Sequence, residues 1–231
     1  MRPGLLILIA VGMVLVGAGA AGVTGQAVTT DPGGISTAAL SRCAGAAGLE
    51  VREADASFGQ IMLDGVPWLS AQHDQQAVVL SGTGGLRRRN GTTVPFRFLC
   101  VLDEKHHANT FRITSAGADD ALPPSRAIRG AAALVGLRGA LPRGAELRVQ
   151  LLDLKKDSNG ELLAEQVVRS GWEEPIPFAL RVPAEIAVDD RRLAIIARVV
   201  LARAVIYRME RPHVLAPDEM RRPVKLDLSP L

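Results

Sequence analysis

ELRVQLLDL (146–154), LLAEQVVR (162–169) and PIPFALRV (175–182) decide the fold of this chain. Each is a short run with apolar residues at alternate positions, closed by Gly, Pro, Asn or Asp, as half-buried antiparallel strands require. In the first run Leu147, Val149 and Leu151 face one way while Arg148, Gln150 and Leu152 face the other. RLAIIARVVL (192–201), VIYRM (205–209) and VKLDL (224–228) continue the series, and Ile128 to Leu137 begins it. Strands of this number and spacing predict an antiparallel β-sandwich.

Within that sandwich the run at 175–182 stands apart. Pro175 and Pro177 bracket Ile176 and remove two ladder donors, which confines the segment to a sheet edge or a crossover. An exposed edge can pair with an extended segment of another protein. The candidate binding edge is therefore Ile176, Phe178, Ala179 and Arg181, with Ile176 and Phe178 facing the same way. Phe178 has a second reading as a core residue.

Upstream of the sandwich, AGADDALPPSR (116–126) is small, acidic and Pro-rich, the composition of a boundary. It separates residues 36–115, a small α+β domain, from residues 127–231. Net charge is −1 over 36–120 and +4 over 121–231. Both values are modest and the signs are interspersed, so polyanion binding is not implied. In the first domain Ser36 reads as a helix N-cap before an Ala-rich helix, 37–47, that turns Leu40 and Cys43 inward. Strands are expected at 50–56, 60–63, 76–81 and 95–102, the last placing Phe96, Phe98 and Cys100 on one face.

Cys43 and Cys100 are the only cysteines of the 231 residues. In an exported chain they are expected to form a disulfide, the alternative being two buried thiols. GTGGLRRRNGTT (82–93) lacks the Lys-Ser/Thr ending of a phosphate loop. Asn90-Gly91 marks a hairpin turn instead, with Arg87 to Arg89 as a solvated strand end. Asp103 to His107 has metal-ligand residue types but no converging set of three or four, and reads as an exposed turn. His73 and His213 stand at no recognisable triad spacing. No catalytic residue, metal site or cofactor is assigned, and a hydrolase assembled in space from one of these His residues is the outlying alternative.

Residues 1–27 read as an export signal: Arg2, an apolar run from Leu5 to Val16, then small residues with cleavage motifs at Ala18-Gly19-Ala20 and Gly25-Gln26-Ala27. The competing reading is an uncleaved membrane anchor. Residues 28–35 are a linker. Cys43 lies too far on to be the acylated Cys of a lipoprotein signal, so the expected product is a soluble periplasmic or secreted envelope protein. At 48% hydrophobic and 3% aromatic, the core must be built mainly of aliphatic side chains, and a stacking platform for nucleic acid is disfavoured.

The second half resembles the YbaY/YscW family, bacterial envelope proteins that include the pilotin chaperones of type III secretion. The matching features are a first strand of the form Ile128-x-Gly130, Leu141-Pro142 before the 146–153 strand, and Ala164-Glu165-Gln166. Pro175-Ile176-Pro177-Phe178, Ala197-Arg198-Val199 and the terminal 224–228 strand complete them. The resemblance covers about 127–231 and implies a compact β-sandwich, no catalytic residues, and in the pilotins a secretin as partner. The general expectation is a non-enzymatic envelope protein that binds another protein or an envelope component. The specific alternative is a pilotin-like chaperone of a secretion-system secretin.

Overall fold

In the computed structural model, residues 35–54, 57–74, 77–105, 107–117, 124–138, 141–154, 160–170, 174–188 and 190–231 are described. The expected signal at 1–27, nearly all of the linker after it, the centre of the 116–126 boundary and most of the 155–160 loop lie outside them.

One helix, α1 (Ile35–Ala54), precedes β1 (Phe58–Asp64), β2 (Ser70–Asp74), β3 (Ala77–Arg88), β4 (Thr93–Asp103) and β5 (Ala108–Ala116). The second half follows as β6 (Ser125–Leu134), β7 (Glu146–Asp153), β8 (Glu161–Ser170) and β9 (Ile176–Pro183). Then come β10 (Leu193–Leu201), β11 (Ala204–Arg208), β12 (His213–Val214) and β13 (Val224–Pro230). The main path runs β5-β4-β3-β1-β8-β7-β10-β11-β13-β6-β9, with β2 on β3 and β12 on β10.

The chain is mainly β, and the second half forms the expected sandwich. β11 meets β13 through the pairs Tyr207↔Pro230 and Arg208↔Ser229, and beyond that join β13, β6 and β9 lie over β10, β7 and β8. Between the layers Ile128, Phe178, Leu180 and Leu226 meet Leu147, Val149, Leu151, Ile195 and Val199. One pairing departs from the antiparallel expectation. β13 runs parallel to β6, Val224 opposite Gly130 and Leu228 opposite Leu134, because the last strand returns beside the first in the same direction.

Another core, the first in chain order, lies on the other face of the same sheet, and the sandwich core is the second. Ala39, Leu40, Cys43, Ala44, Ala47 and Val51 recur at helical spacing along α1 and pack on Leu63, Leu80, Phe96, Phe98, Cys100 and Leu102. The small side chains in that stripe let the helix lie close to the strands. β1 and β8 belong to both cores: Ile61, Leu63 and Val167 face the helix, whereas Met62, Ala164 and Val168 face the sandwich.

Several expectations need correction here. Ser36 lies inside α1, whose first residue is Ile35, and the segment expected as a strand at 50–56 is helical to Ala54. Val51 falls four residues after Ala47 and carries the buried stripe onward, so helical packing overrides the short alternation. β3 extends to Arg88 through Gly82, Gly84 and Gly85, which the sequence suggests as loop. A Cβ on Gly84 would stand 2.4 Å from the Met62 carbonyl oxygen and 2.6 Å from Phe96 Cζ, so this glycine serves close packing inside a strand. The turn does fall at Asn90-Gly91, where Gly91 has φ +88° and the Thr92 N–H donates to Asn90 Oδ1 at 3.0 Å. β2 and β5 were not anticipated, although β5 turns Phe111 inward between exposed Thr110 and Arg112.

Cys43 and Cys100 are bonded, tying α1 to β4 across 57 positions of sequence. Closing a loop of that size restrains the unfolded chain by about 4 kcal/mol on the chain-entropy model. Because β1 pairs along its length with β8, from Gln60↔Ser170 to Asp64↔Gln166, loosening the first core also loosens the second. Reduction is expected to lower the urea midpoint of the whole protein, with far-UV dichroism and tryptophan emission moving together. A transition of the second core untouched by reductant would show that the halves unfold independently.

Candidate functional site

β9 ends the sheet path and pairs along one side with β6, from Ser125↔Pro183 to Ala132↔Ile176. The two prolines are compatible with that position, and the Glu174–Pro175 peptide is cis. On the other side of the strand, backbone groups that would receive a partner strand are taken by side chains of this chain. The Ala179 N–H donates to Gln166 Oε1 at 3.0 Å, and Gln166 Nε2 donates back to the Ala179 carbonyl at 2.9 Å. Gln60 Nε2 donates to the Pro177 carbonyl at 2.7 Å, and Trp68 Nε1 to the Arg181 carbonyl at 3.0 Å. Gln166 thus replaces one rung of a β8–β9 ladder and closes the open side of the sandwich.

Of the four residues expected at a binding edge, Ile176 and Phe178 are buried in the second core, 1% and 3% exposed. Ala179 is half-buried under Gln166. Arg181 points to the first half, where its Nη1 reaches Asp64 Oδ2 and Thr83 Oγ1, each at 3.0 Å. Its guanidinium lies over the Trp68 ring, 4.5 Å from the centroid, and its Nε donates to Ser125 Oγ at 3.2 Å.

Asp64 is the centre of this cluster. Its carboxylate is 2% exposed and accepts from Thr83 Oγ1 at 2.8 Å, Gln166 Nε2 at 3.0 Å and Arg181. Burial pushes the carboxyl above the usual value, against the opposing pulls of Arg181, Thr83 and Gln166. The arrangement is a satisfied polar lock between β1, β3, β8 and β9, and sequence reading did not anticipate it. Its members come from four separate strands, and no spacing in the chain announces that they meet.

The remaining candidates separate. His107 Nδ1 lies 3.3 Å from Asp103 Oδ2 in the exposed turn after β4. His213 Nε2 lies 3.0 Å from Glu219, whose carboxylate also accepts the Ala216 N–H, and that backbone bond holds its pKa below the ordinary value. Arg88 lies over the Phe58 ring at the end of β3. Among the described residues no group of three His, Cys, Asp or Glu is placed to hold a metal ion, and no helix is long and apolar enough to cross a membrane.

Residues 124–228, which span nearly all of β6 to β13, match the family described as type III secretion system lipoprotein chaperone (YscW). The second half is therefore similar to that family over the whole sandwich. A solved structure of an alternative pilotin from the type II secretion system of Vibrio cholerae is also similar, at 21% identity and a TM-score of 0.42. That match covers 47% of this chain and 98% of the pilotin. No curated protein matches the chain.

Proposed function

We propose that this is an exported, non-enzymatic envelope protein that acts as a pilotin-like chaperone, its sandwich binding a secretin or another protein of a secretion system. The observation that carries the reading is the family match over 124–228, which coincides with the second core. Two features qualify the mode of action. Both cysteines of the sequence are engaged with each other, so neither thiol is left to carry an acyl chain in the oxidised protein. The outward groups of β9 are held by Gln60, Gln166 and Trp68, so a partner strand would have to displace three side chains to pair there. Recognition through exposed side chains on a sheet face avoids that cost.

Proximity labelling in the native cell tests this reading. A secretin subunit is expected among the most strongly labelled envelope proteins. Strong labelling confined to peptidoglycan-associated or metabolic proteins would replace the chaperone with a general envelope-binding role.

A further inference from the structure

Three arginines stand in one row across β7, β10 and β11. Arg198 is opposite Arg148 on β7 and opposite Arg208 on β11. Directly opposed residues of antiparallel strands present their side chains to the same face, about 5 Å apart. Leu147, Val149, Ala197 and Val199 fill the sandwich core, so the alternating arginines point out of it.

Like charges in that register repel, and burial adds to the cost. Arg198 is half-buried; desolvation and then the neighbouring Arg148 push its pKa down, while Glu165 draws it back. Among the described residues the side chains of Arg198 and Arg208 make no hydrogen bond and no salt bridge, and Glu165 acts on Arg198 only through its charge. Arg148 reaches Ser41 Oγ on α1 and Glu146 Oε1 at 3.4 Å, and its buried Nε has no partner. The nearby acids are otherwise engaged, Glu165 with Gln150 Nε2 at 3.0 Å and Glu210 with Ser229 Oγ at 3.4 Å. On the same face, half-buried Ile196 and exposed Val214 provide apolar surface beside the row.

We infer that this face docks an acidic peptide segment of the partner protein, with carboxylates taken by Arg198 and Arg208 and apolar side chains resting on Ile196 and Val214. The guanidinium fork matches a carboxylate in bidentate geometry. Arg198 and Arg208 stand one strand spacing apart, about 5 Å, and with Ile196 and Val214 beside them they suit an acidic peptide that also carries apolar side chains better than a free phosphate. The inference rests on the reading of this chain as a protein-binding module and names the chemistry of what it binds.

The test is fluorescence anisotropy of a labelled poly-glutamate peptide with the purified exported protein. The peptide is expected to bind, more weakly as salt rises. Arg208→Glu is expected to weaken binding by about tenfold or more, and Arg198→Gln to weaken it to a smaller degree. Arg129→Glu makes the same charge change at an exposed position on β6, in the opposite layer, and is expected to leave affinity unchanged. Thermal midpoints of all three variants establish that they are folded. Equal loss in Arg129→Glu would reduce the effect to net charge, and absence of peptide binding would overturn the proposal. Capture by phosphatidylglycerol vesicles through the same arginines, without peptide binding, would reassign the row to lipid headgroups. A secretin still labelled in cells by the Arg208→Glu protein would sink the arginine row and leave the chaperone reading intact.

Discussion

Arg181→Ala is expected to destabilise the protein by about 3–5 kcal/mol near neutral pH, the cost of leaving a buried carboxylate without its cation. Asp64 and Arg181 lie 117 positions apart in sequence and join β1 to β9, so the loss falls where the two halves are locked. The pH dependence has a definite sign. In the unfolded chain Asp64 ionises around its ordinary value of 3.8, whereas burial raises the folded value. Its ionised form is therefore the costly one in the fold. That cost is fully present above the folded pKa and is relieved as the pH falls from there through 3.8. Removing Arg181 takes away the largest opposing pull and raises the folded value further. The deficit of the variant should be greatest near neutrality and shrink in mild acid, once Asp64 takes up a proton. Urea midpoints of both proteins at the two conditions measure it. A deficit that does not change with pH would mean that the lost stacking on Trp68 outweighs the charge.

That lock marks the limit of what the sequence reveals. The sandwich strands were legible because Leu147, Val149 and Leu151 alternate with polar neighbours, and only one face of such a strand is fully buried. β1 was legible as a short strand at 60–63, but what its two ends meet was not. Gln60-Ile-Met-Leu-Asp64 is buried on both faces, and a polar residue at either end of an apolar run looks the same whether it meets water or a distant arginine. Gln166 is similar: nothing in Ala164-Glu165-Gln166 says that its amide substitutes for a strand partner of Ala179. The two cysteines were legible because there was one possible pair. The end of α1 was not, since Glu50-Val-Arg-Glu-Ala alternates over so few residues that strand and helix patterns coincide. At 175–182 the prolines correctly indicated an edge, yet whether that edge is open depended on side chains from β1, β8 and the turn carrying Trp68.

Two elements of the family resemblance, Ile128-x-Gly130 and Pro175-Ile-Pro-Phe178, meet in the fold, and their meeting yields the second large effect. Gly130 is opposite Phe178 in the β6–β9 register. A Cβ on Gly130 would lie 2.5 Å from Phe178 Cζ and 2.4 Å from the Val224 carbonyl oxygen on β13, so the glycine makes room for both the ring and the neighbouring backbone. Phe178→Ala is expected to cost about 3–5 kcal/mol through the cavity it leaves. Gly130→Ala is expected to cost about 1–3 kcal/mol through overpacking. The double variant decides whether the two positions act as one unit. With the ring gone the new methyl loses one of its two clashes and partly fills the cavity, so the combined loss should fall short of the sum by more than about 0.5 kcal/mol. Chemical denaturation of the four proteins gives that coupling directly. Simple additivity would mean that the contact with Val224 accounts for the whole cost at Gly130, and that the glycine and the aromatic serve the sandwich separately.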